Sequence, residues 1–526
     1  MSIDNLADHE ALVESLMDPA RWPSGGNDRR RIDTHISTVV LAGDKAYKIK
    51  KPLDLGFLDF LSLEARHHCC REELRLNSRL APQVYLDVVP IAGTIVHPVP
   101  GGSGEPIDWA VKMQRFDPDA LLANPGQPLT PQMVTDLAVR IAAFHAKARR
   151  TADPAYGTPD KSYAPMQHNF VQLRHDGQGS ALLDALEHWT SETFQRQRAL
   201  MEQRHAGGHV RECHGDLHLG NIAVIDGEPV VFDAIEFNPA LYWIDTISDV
   251  AFLTMDLHHR GRSDLAGLFL DRYLQDSGDH QGLALLRFYE VYRAMVRAKV
   301  AAIRQAQPEV TPEQHAALAS EIQTYLDLAQ RRSAAHSGGL IITHGVSGSG
   351  KSHATQQLPG QLPAVRIRSD VERKRLLDID PSQDATAADA YSQQVSDDTY
   401  ARLAMLARQV IEAGHIAIAD ATFLRRSQRD RMRGLAEQLQ VPFVIIDCDV
   451  PTDLLRQRIR QRRQEADNVS DADIEVMLAQ RRAREPLTAT ERPFCIAAPV
   501  AIGELRDRLG MQQAGSVSGA PDRLPG

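Results

Sequence analysis

The stretch LIITHGVSGSGKS, Leu340 to Ser352, reads as a short apolar strand running straight into a glycine-rich turn and the start of a helix. From Gly345 to Ser352 it has the spacing G-x-x-x-x-G-K-[ST]. Gly345, Gly348 and Gly350, with Ser347 and Ser349 between them, allow consecutive backbone N–H groups to turn inward around phosphate oxygens at a helix N-terminus. Lys351 is placed to reach β- and γ-phosphate oxygens, and the Ser352 hydroxyl to hold Mg²⁺. The chemistry expected of this stretch is binding of ATP with Mg²⁺.

Downstream, apolar runs alternate with longer amphipathic segments: PAVRI, HIAIAD and PFVIID each follow a helical pattern. That rhythm predicts a parallel α/β sheet. Upstream, AAHSGG from Ala334 to Gly339 is a run of small residues that marks a joint. Before it, LALLRFYEVYRAMVRAKVAAI places Leu283, Leu286, Tyr289, Tyr292, Met295, Val296, Lys299, Val300 and Ile303 at helical spacing, as one packed face. The first 120 or so residues differ again, with a hairpin expected at Gly43-Asp44 in STVVLAGDKAYKIK and a helix from about Ser62 to Leu80. The expected domains are 1–335, with a small lobe to about residue 120 and a helical lobe after it, and 336–510, followed by a disordered tail over 511–526.

A second chemical pattern lies in HGDLHLGN, where His214, Asp216 and Asn221 stand at H-x-D-x-x-x-x-N spacing. A carboxylate at Asp216 can orient an acceptor hydroxyl and take its proton, and the Asn221 amide oxygen can complete a Mg²⁺ shell. The following NIAVIDGEPVVFD is a hairpin turned at Asp226-Gly227, which returns Asp233 beside the loop it left, in the place of a second metal-binding carboxylate. Lys48, on a strand, is a candidate clamp for the α- and β-phosphates, with Glu73 holding its ammonium; Lys50 and Glu72 are the alternatives. His218 is read as a structural residue of the loop.

HGDLHLGN followed by VVFD resembles the aminoglycoside phosphotransferase and choline-kinase-like superfamily over residues 30 to 330. The resemblance implies a protein-kinase-like bilobal fold, Mg-ATP, Asp216 as base, and Asn221 and Asp233 as metal ligands. No G-x-G-x-x-G loop precedes Lys48 and no A-P-E segment follows Asp233, which favours a small hydroxylated acceptor over a protein.

In the P-loop half, RIRSDVER ends its strand at Asp370 with Arg373 three residues on. This D-x-x-R spacing resembles polynucleotide-kinase-like and gluconate-kinase-like P-loop kinases, in which the Asp acts on the acceptor hydroxyl and the Arg holds the acceptor. A helix N-cap with a solvated arginine is the competing reading. Asp420, closing HIAIAD, is assigned to the metal, against a simple helix-capping role. Arg458 and Arg462, one turn apart in LLRQRIRQRR, read either as a lid bringing guanidinium groups to the nucleotide phosphates or as a solvated helix face.

A net charge of −10 over 526 residues excludes a protein whose main task is coating nucleic acid. The arginine cluster Arg425, Arg426, Arg429, Arg431 and Arg433 keeps a phosphate-rich acceptor, nucleic acid included, as the minority reading. The five cysteines form no CxxC pair and are read as reduced thiols. With no leader or apolar span, the expected location is the cytoplasm and no membrane partner is expected; no motif sets an oligomeric state. The order of the halves resembles bacterial fusions of an aminoglycoside-phosphotransferase-like domain with an AAA-type P-loop kinase domain. The fold class expected is α/β and α+β in two domains, a protein-kinase-like bilobal domain followed by a P-loop NTPase parallel α/β sandwich. The activity expected is ATP-dependent phosphate transfer to hydroxyl acceptors in both halves. The rival makes the P-loop half an ATPase switch and the first half a ligand-binding module without transfer.

Overall fold

The computed structural model describes residues 3–22, 29–56, 58–175, 177–178, 180–307, 310–335, 337–379, 392–462 and 474–511. The expected tail over 511–526 lies, from residue 512 on, outside the described residues. The chain divides into two compact units, Met1–Ser277 with Leu285–Ala334, and Gly278–Ala284 with Ala335–Gly526.

The first unit opens with helix α1 (Leu6–Leu16) and strands β1 (Arg29–Asp33), β2 (Ser37–Ala42) and β3 (Lys45–Lys50). Helix α2 (Leu63–Asn77) precedes β4 (Tyr85–Thr94), β5 (His97–Pro100) and β6 (Pro106–Gln114). The six strands form one antiparallel sheet in the order β1-β2-β3-β6-β4-β5. The β2–β3 hairpin turns at Gly43 and Asp44, as the spacing predicts, with Ala42 opposite Lys45. Ser62 caps α2 by accepting from the Ala65 N–H, so the helix starts where the sequence predicts and stops three residues earlier, at Asn77. Asn77 is buried because its amide oxygen accepts from the Ala234 N–H, a bond that ends the helix on a specific partner.

The rest of this unit is mainly helical: α3 (Pro131–Lys147), α4 (Pro159–His175), α5 (Ala181–Ala206), the short β7 (Val210–Glu212), β8 (Ile222–Ile225) and β9 (Glu228–Val231), α6 (Pro239–Tyr242), β10 (Trp243–Asp245), α7 (Thr246–His259), α8 (Ser263–Ser277), α9 (Leu283–Gln305) and α10 (Pro312–Ser333). The β8–β9 hairpin turns at Asp226 and Gly227, both at positive φ (53° and 83°), the geometry a two-residue hairpin loop favours. A sheet lobe followed by a helical lobe is the bilobal, protein-kinase-like arrangement.

The packed face of α9 follows the large apolar residues through Leu283, Leu286, Tyr289 and Met295 but leaves them in its last turns. Val300 and Ile303 are exposed, and the helix packs through Val291, Ala294, Met295, Ala298, Ala301 and Ala302 into a core with Phe252, Met255, Leu318, Ile322 and Tyr325. Alanines decide the interface because their small side chains let neighbouring helices approach closely.

The second unit holds β11 (Gly339–His344), α11 (Lys351–Thr355), β12 (Ala364–Arg368), α12 (Ser369–Leu376), α13 (Gln393–Glu412), β13 (Ile416–Asp420), α14 (Arg426–Leu439), β14 (Phe443–Asp447), α15 (Thr452–Arg462), α16 (Ile474–Ala483), β15 (Cys495–Ala497) and α17 (Ile502–Arg508). Its five strands are all parallel in the order β12-β13-β11-β14-β15. β11 is central and buried along its whole length, and the P-loop leaves from its carboxyl end. Among the described residues, no helix is long and apolar enough to cross a membrane. Cys69, Cys70, Cys213, Cys448 and Cys495 are free.

Candidate functional sites

In the first unit, Lys48 and Lys50 lie two apart on β3 and so project to the same face. The Lys48 ammonium lies 2.8 Å from Glu73 Oε1 and 2.5 Å from Asp233 Oδ1. Lys50 takes the other Glu73 oxygen at 2.5 Å and also pairs with Glu236, so both lysines share one fully buried carboxylate on α2. Burial works against both charges, but the facing carboxylates hold the Lys48 and Lys50 ammonium groups above their ordinary range. Burial would raise Glu73, yet the two lysines bring it down to about 2. Glu236, with one lysine rather than two, is pushed up by its burial. Glu72 stays out of this cluster and pairs with Arg75 at 2.7 Å.

The 214–221 loop is knitted to the 232–235 segment. The Phe232 N–H donates to Asn221 O at 2.9 Å, the Ile235 N–H to His214 O at 3.1 Å, and His214 Nε2 donates to Phe232 O at 2.9 Å. Asp216 therefore stands with Asn221, whose amide nitrogen donates to Asp216 O at 3.0 Å and to Oδ2 at 2.9 Å. Asp233 takes φ 62°, a left-handed conformation held by its own N–H donating to the Tyr85 hydroxyl at 3.1 Å. The structure thus brings Lys48, Glu73, Asp216, Asn221 and Asp233 into one site.

Several supports of that site have no counterpart in a short motif. Asp249, fully buried on α7, accepts from the N–H groups of His214 at 3.0 Å and Gly215 at 2.9 Å, and from His145 Nε2 at 3.2 Å. Arg293 of α9 donates to Gly215 O at 3.1 Å. Gly215 has φ 87°, and a Cβ there would stand 2.7 Å from Leu241 O, so the turn requires glycine. Asp256 accepts from the Leu219 N–H at 2.9 Å. His218 does more than shape the loop: its Nε2 lies 3.2 Å from Asp216 Oδ2. Burial would raise Asp216, but His218 above all, with His214 and Arg297, holds its carboxyl well below the usual carboxylate range.

In the second unit, Gly345, Gly348 and Gly350 have φ of 148°, 82° and 94°. A Cβ on Gly345 would lie 2.5 Å from Cys448 O, so this glycine is a packing requirement as well as a turn residue. Lys351 folds its ammonium back onto Val346 O at 2.9 Å. Arg458 Nη1 donates to Ser349 O at 3.3 Å, so this α15 arginine, although exposed, reaches the loop. Arg462 ends α15, and its side chain lies outside the described residues. Gln480 of α16, unmarked in the sequence, accepts the Ser347 N–H at 2.8 Å. Ser352 is exposed at the start of α11, and the buried Asp420 is 3.5 Å from the Thr355 hydroxyl.

Asp370 does not end its strand: β12 stops at Arg368, and Asp370 is the second residue of α12, next to Ser369. Its carboxylate sits 3.7 Å from Arg373 across one helical turn. The pair acts electrostatically on Tyr400, whose hydroxyl is 3.0 Å from that of Thr422 and accepts the Phe423 N–H at 3.1 Å. Tyr400 thereby connects the D-x-x-R turn to the end of β13, where Asp420 lies. The arginine cluster is not a uniform phosphate surface: Arg429 is buried, pairs with Glu491 at 2.6 Å and donates to Phe423 O and Leu424 O.

Hard oxygen donors are present at both candidate sites. Asn221 and the partly exposed Asp233 supply them in the first, Ser352 and Asp420 in the second, and these donor types suit Mg²⁺. A family model described as an AAA domain matches residues 340–487. A choline/ethanolamine kinase family protein from Mesorhizobium loti is similar in structure at 12% identity, over 61% of this chain and 99% of that one, with a TM-score of 0.35. The Mycobacterium tuberculosis APS kinase CysC, solved with AMPPNP and APS, is similar at 17% identity, over 33% of this chain and 99% of that one, with a TM-score of 0.25. Uncharacterized protein Rv2004c of Mycobacterium tuberculosis is 32% identical over 461 residues, covering 85% of this chain and 88% of its own, and the protein belongs to the same family as it.

Proposed function

We propose that this protein is an ATP-dependent phosphotransferase with two nucleotide sites, one in each unit, and that the functional domains are 1–335 and 336–510. The observation that carries the reading is the Lys48 ammonium held between Glu73 Oε1 at 2.8 Å and Asp233 Oδ1 at 2.5 Å, beside the Asp216–Asn221 pair. A cation so placed can receive α- and β-phosphate oxygens, and Glu73 keeps it in position.

In the first unit, Asp216 is the residue that orients an acceptor hydroxyl. Held well below its ordinary range it is ionised and weakly basic, which suits a loose phosphoryl-transfer transition state in which proton acceptance comes late. The Pγ–O bond to the β-phosphate breaks as the bond from the acceptor oxygen to Pγ forms. The hydroxyl proton passes to Asp216, and ADP leaves with the bridging oxygen. Asn221 and Asp233 would hold Mg²⁺, which when bound neutralises charge developing on the phosphates.

In the second unit, Lys351 would exchange Val346 O for the β- and γ-phosphates, with Ser352 and Asp420 at the metal and Arg458 and Arg462 above the phosphates. Asp370 takes the hydroxyl of an acceptor yet to be identified, and Arg373 holds that acceptor. A cytoplasmic location fits the free cysteines.

The test is ATP consumption by the whole chain and by Asp216→Asn and Lys351→Ala, with aminoglycosides, sugars and 5′-hydroxyl oligonucleotides as acceptors. Each substitution is expected to lower the turnover of its own acceptors by roughly 10²- to 10⁴-fold and to spare the other set. Acceptor-independent hydrolysis lost in Lys351→Ala alone would instead make the second unit an ATPase switch.

A further inference from the structure

Helix α9 carries two arginines one turn apart, the first of which reaches the 214–221 loop. Arg293 is consumed there: it is buried, with Nη1 donating to Gly215 O at 3.1 Å, Nε to Ser248 O at 3.3 Å and Nη2 to Ser248 Oγ at 3.2 Å. Arg297, four residues on, lies on the same helix face and is only partly buried. Among the described residues its one hydrogen bond runs from Nε to the Tyr325 hydroxyl, at 3.3 Å, and it has no ion pair. Tyr325 is itself held by the His259 ring, stacked on it at 3.9 Å between centroids.

The nearby carboxylates do not claim that guanidinium, although its charge acts on both Asp216 and Asp256. Asp216 is taken by Asn221 and His218. Asp256 is taken by the Leu219 N–H and by Arg260 Nε at 3.3 Å. Glu321 of α10 acts on His259 and Tyr325 instead. An acceptor with an ammonium group would find Asp216 and Asp256 already hydrogen-bonded and the positive charge of Arg297 acting on both. An anionic group would find a planar fork of donors that matches carboxylate and phosphate geometry.

We propose that the acceptor of the first unit is a hydroxylated molecule carrying a carboxylate or a phosphate monoester, which Arg297 receives while the hydroxyl lies at Asp216. This rests on the reading of Asp216 as the acceptor-orienting carboxylate. It departs from the cationic acceptors that the likeness to aminoglycoside and choline phosphotransferases suggests.

The experiment uses the full chain carrying Lys351→Ala, so that the second unit is silent, and measures ADP formation with three classes of alcohol. They are anionic (D-gluconate, glycerol 3-phosphate), neutral (D-glucose, glycerol) and cationic (glucosamine, choline). Anionic alcohols are expected to be preferred, and the gluconate and glycerol 3-phosphate arms separate the two anion types. Adding Arg297→Gln should raise KM for them by roughly 10- to 100-fold while leaving KM for neutral alcohols in place, with Arg297→Lys recovering part of the loss. An unchanged melting temperature in both Arg297 variants checks the fold. Preference for neutral or cationic alcohols, or an equal fall of kcat with every acceptor in Arg297→Gln, overturns the proposal and leaves the phosphotransfer reading standing. No turnover with any class removes that reading and the proposal together.

Discussion

Lys48 and Lys50 are alike in sequence and share Glu73, yet they face different partners. Lys50 stands between Glu73 and Glu236 with no exposure, whereas Lys48 meets the partly exposed Asp233. Lys50→Met would leave the buried Glu236 without its ammonium partner and Glu73 with Lys48 alone, and is expected to destabilise the first unit by roughly 3–5 kcal/mol. Lys48→Met leaves Glu73 its second lysine, so the expected result is a smaller stability change with loss of transfer through Asp216; melting curves and ADP formation separate the two. His9 gives the first unit a pH dependence of its own. The Thr38 hydroxyl donates to Asp33, so it accepts from His9 Nε2, and the buried Nδ1 is left without a partner and without a proton. Burial brings His9 down from 6.5 to about 4. The unfolded chain therefore takes up a proton below pH 6.5 that the folded chain refuses until about pH 4, and stability falls as pH drops through that window. His9→Asn should flatten this part of a stability–pH profile measured by urea unfolding.

At the scale of elements, α9 shows why periodicity of large residues is an incomplete guide. Hydropathy marks Leu283, Leu286, Tyr289 and Met295 rightly but also Val296, Val300 and Ile303, whereas in the last turns it is the alanines at 298, 301 and 302 that enter the core around Phe252 and Tyr325. Ala298→Leu would insert three heavy atoms into a closed interface and is expected to cost about 1–3 kcal/mol, while Ile303→Ser should stay within about 0.5 kcal/mol. Urea midpoints compare the two. The shift of Asp370 from strand end to helix has a similar origin: the spacing of R-S-D-V-E-R is the same in either state, and the strand stops at Arg368, its last residue paired with β13. By contrast, the two hairpins and the helix capped by Ser62 were legible because their signals are local: turn residues at fixed offsets and a capping hydroxyl three residues from the N–H it serves.

On the scale of the whole molecule, two nucleotide sites predict that AMP-PNP with Mg²⁺ titrates two per chain in calorimetry. Lys351→Ala and Asp233→Asn should each remove one, and the double variant both. A single binding event unaffected by Asp233→Asn would confine nucleotide binding to the second unit. The sequence by itself determined the parallel α/β unit, the P-loop, the 214–221 loop and its Asp216–Asn221 pair, because each depends on residues a few positions apart whose geometry the backbone sets directly. It also narrowed the lysine and its glutamate to two candidates each. Only the tertiary structure decided that Lys48 meets Asp233 across a separation of 185 residues, that Asp249 and Arg293 hold the loop backbone, that Gln480 reaches the P-loop, and that Arg429 is a buried ion pair rather than a phosphate contact. Such contacts arise from packing of distant elements, and no spacing along the chain encodes which of several like side chains will turn toward the site.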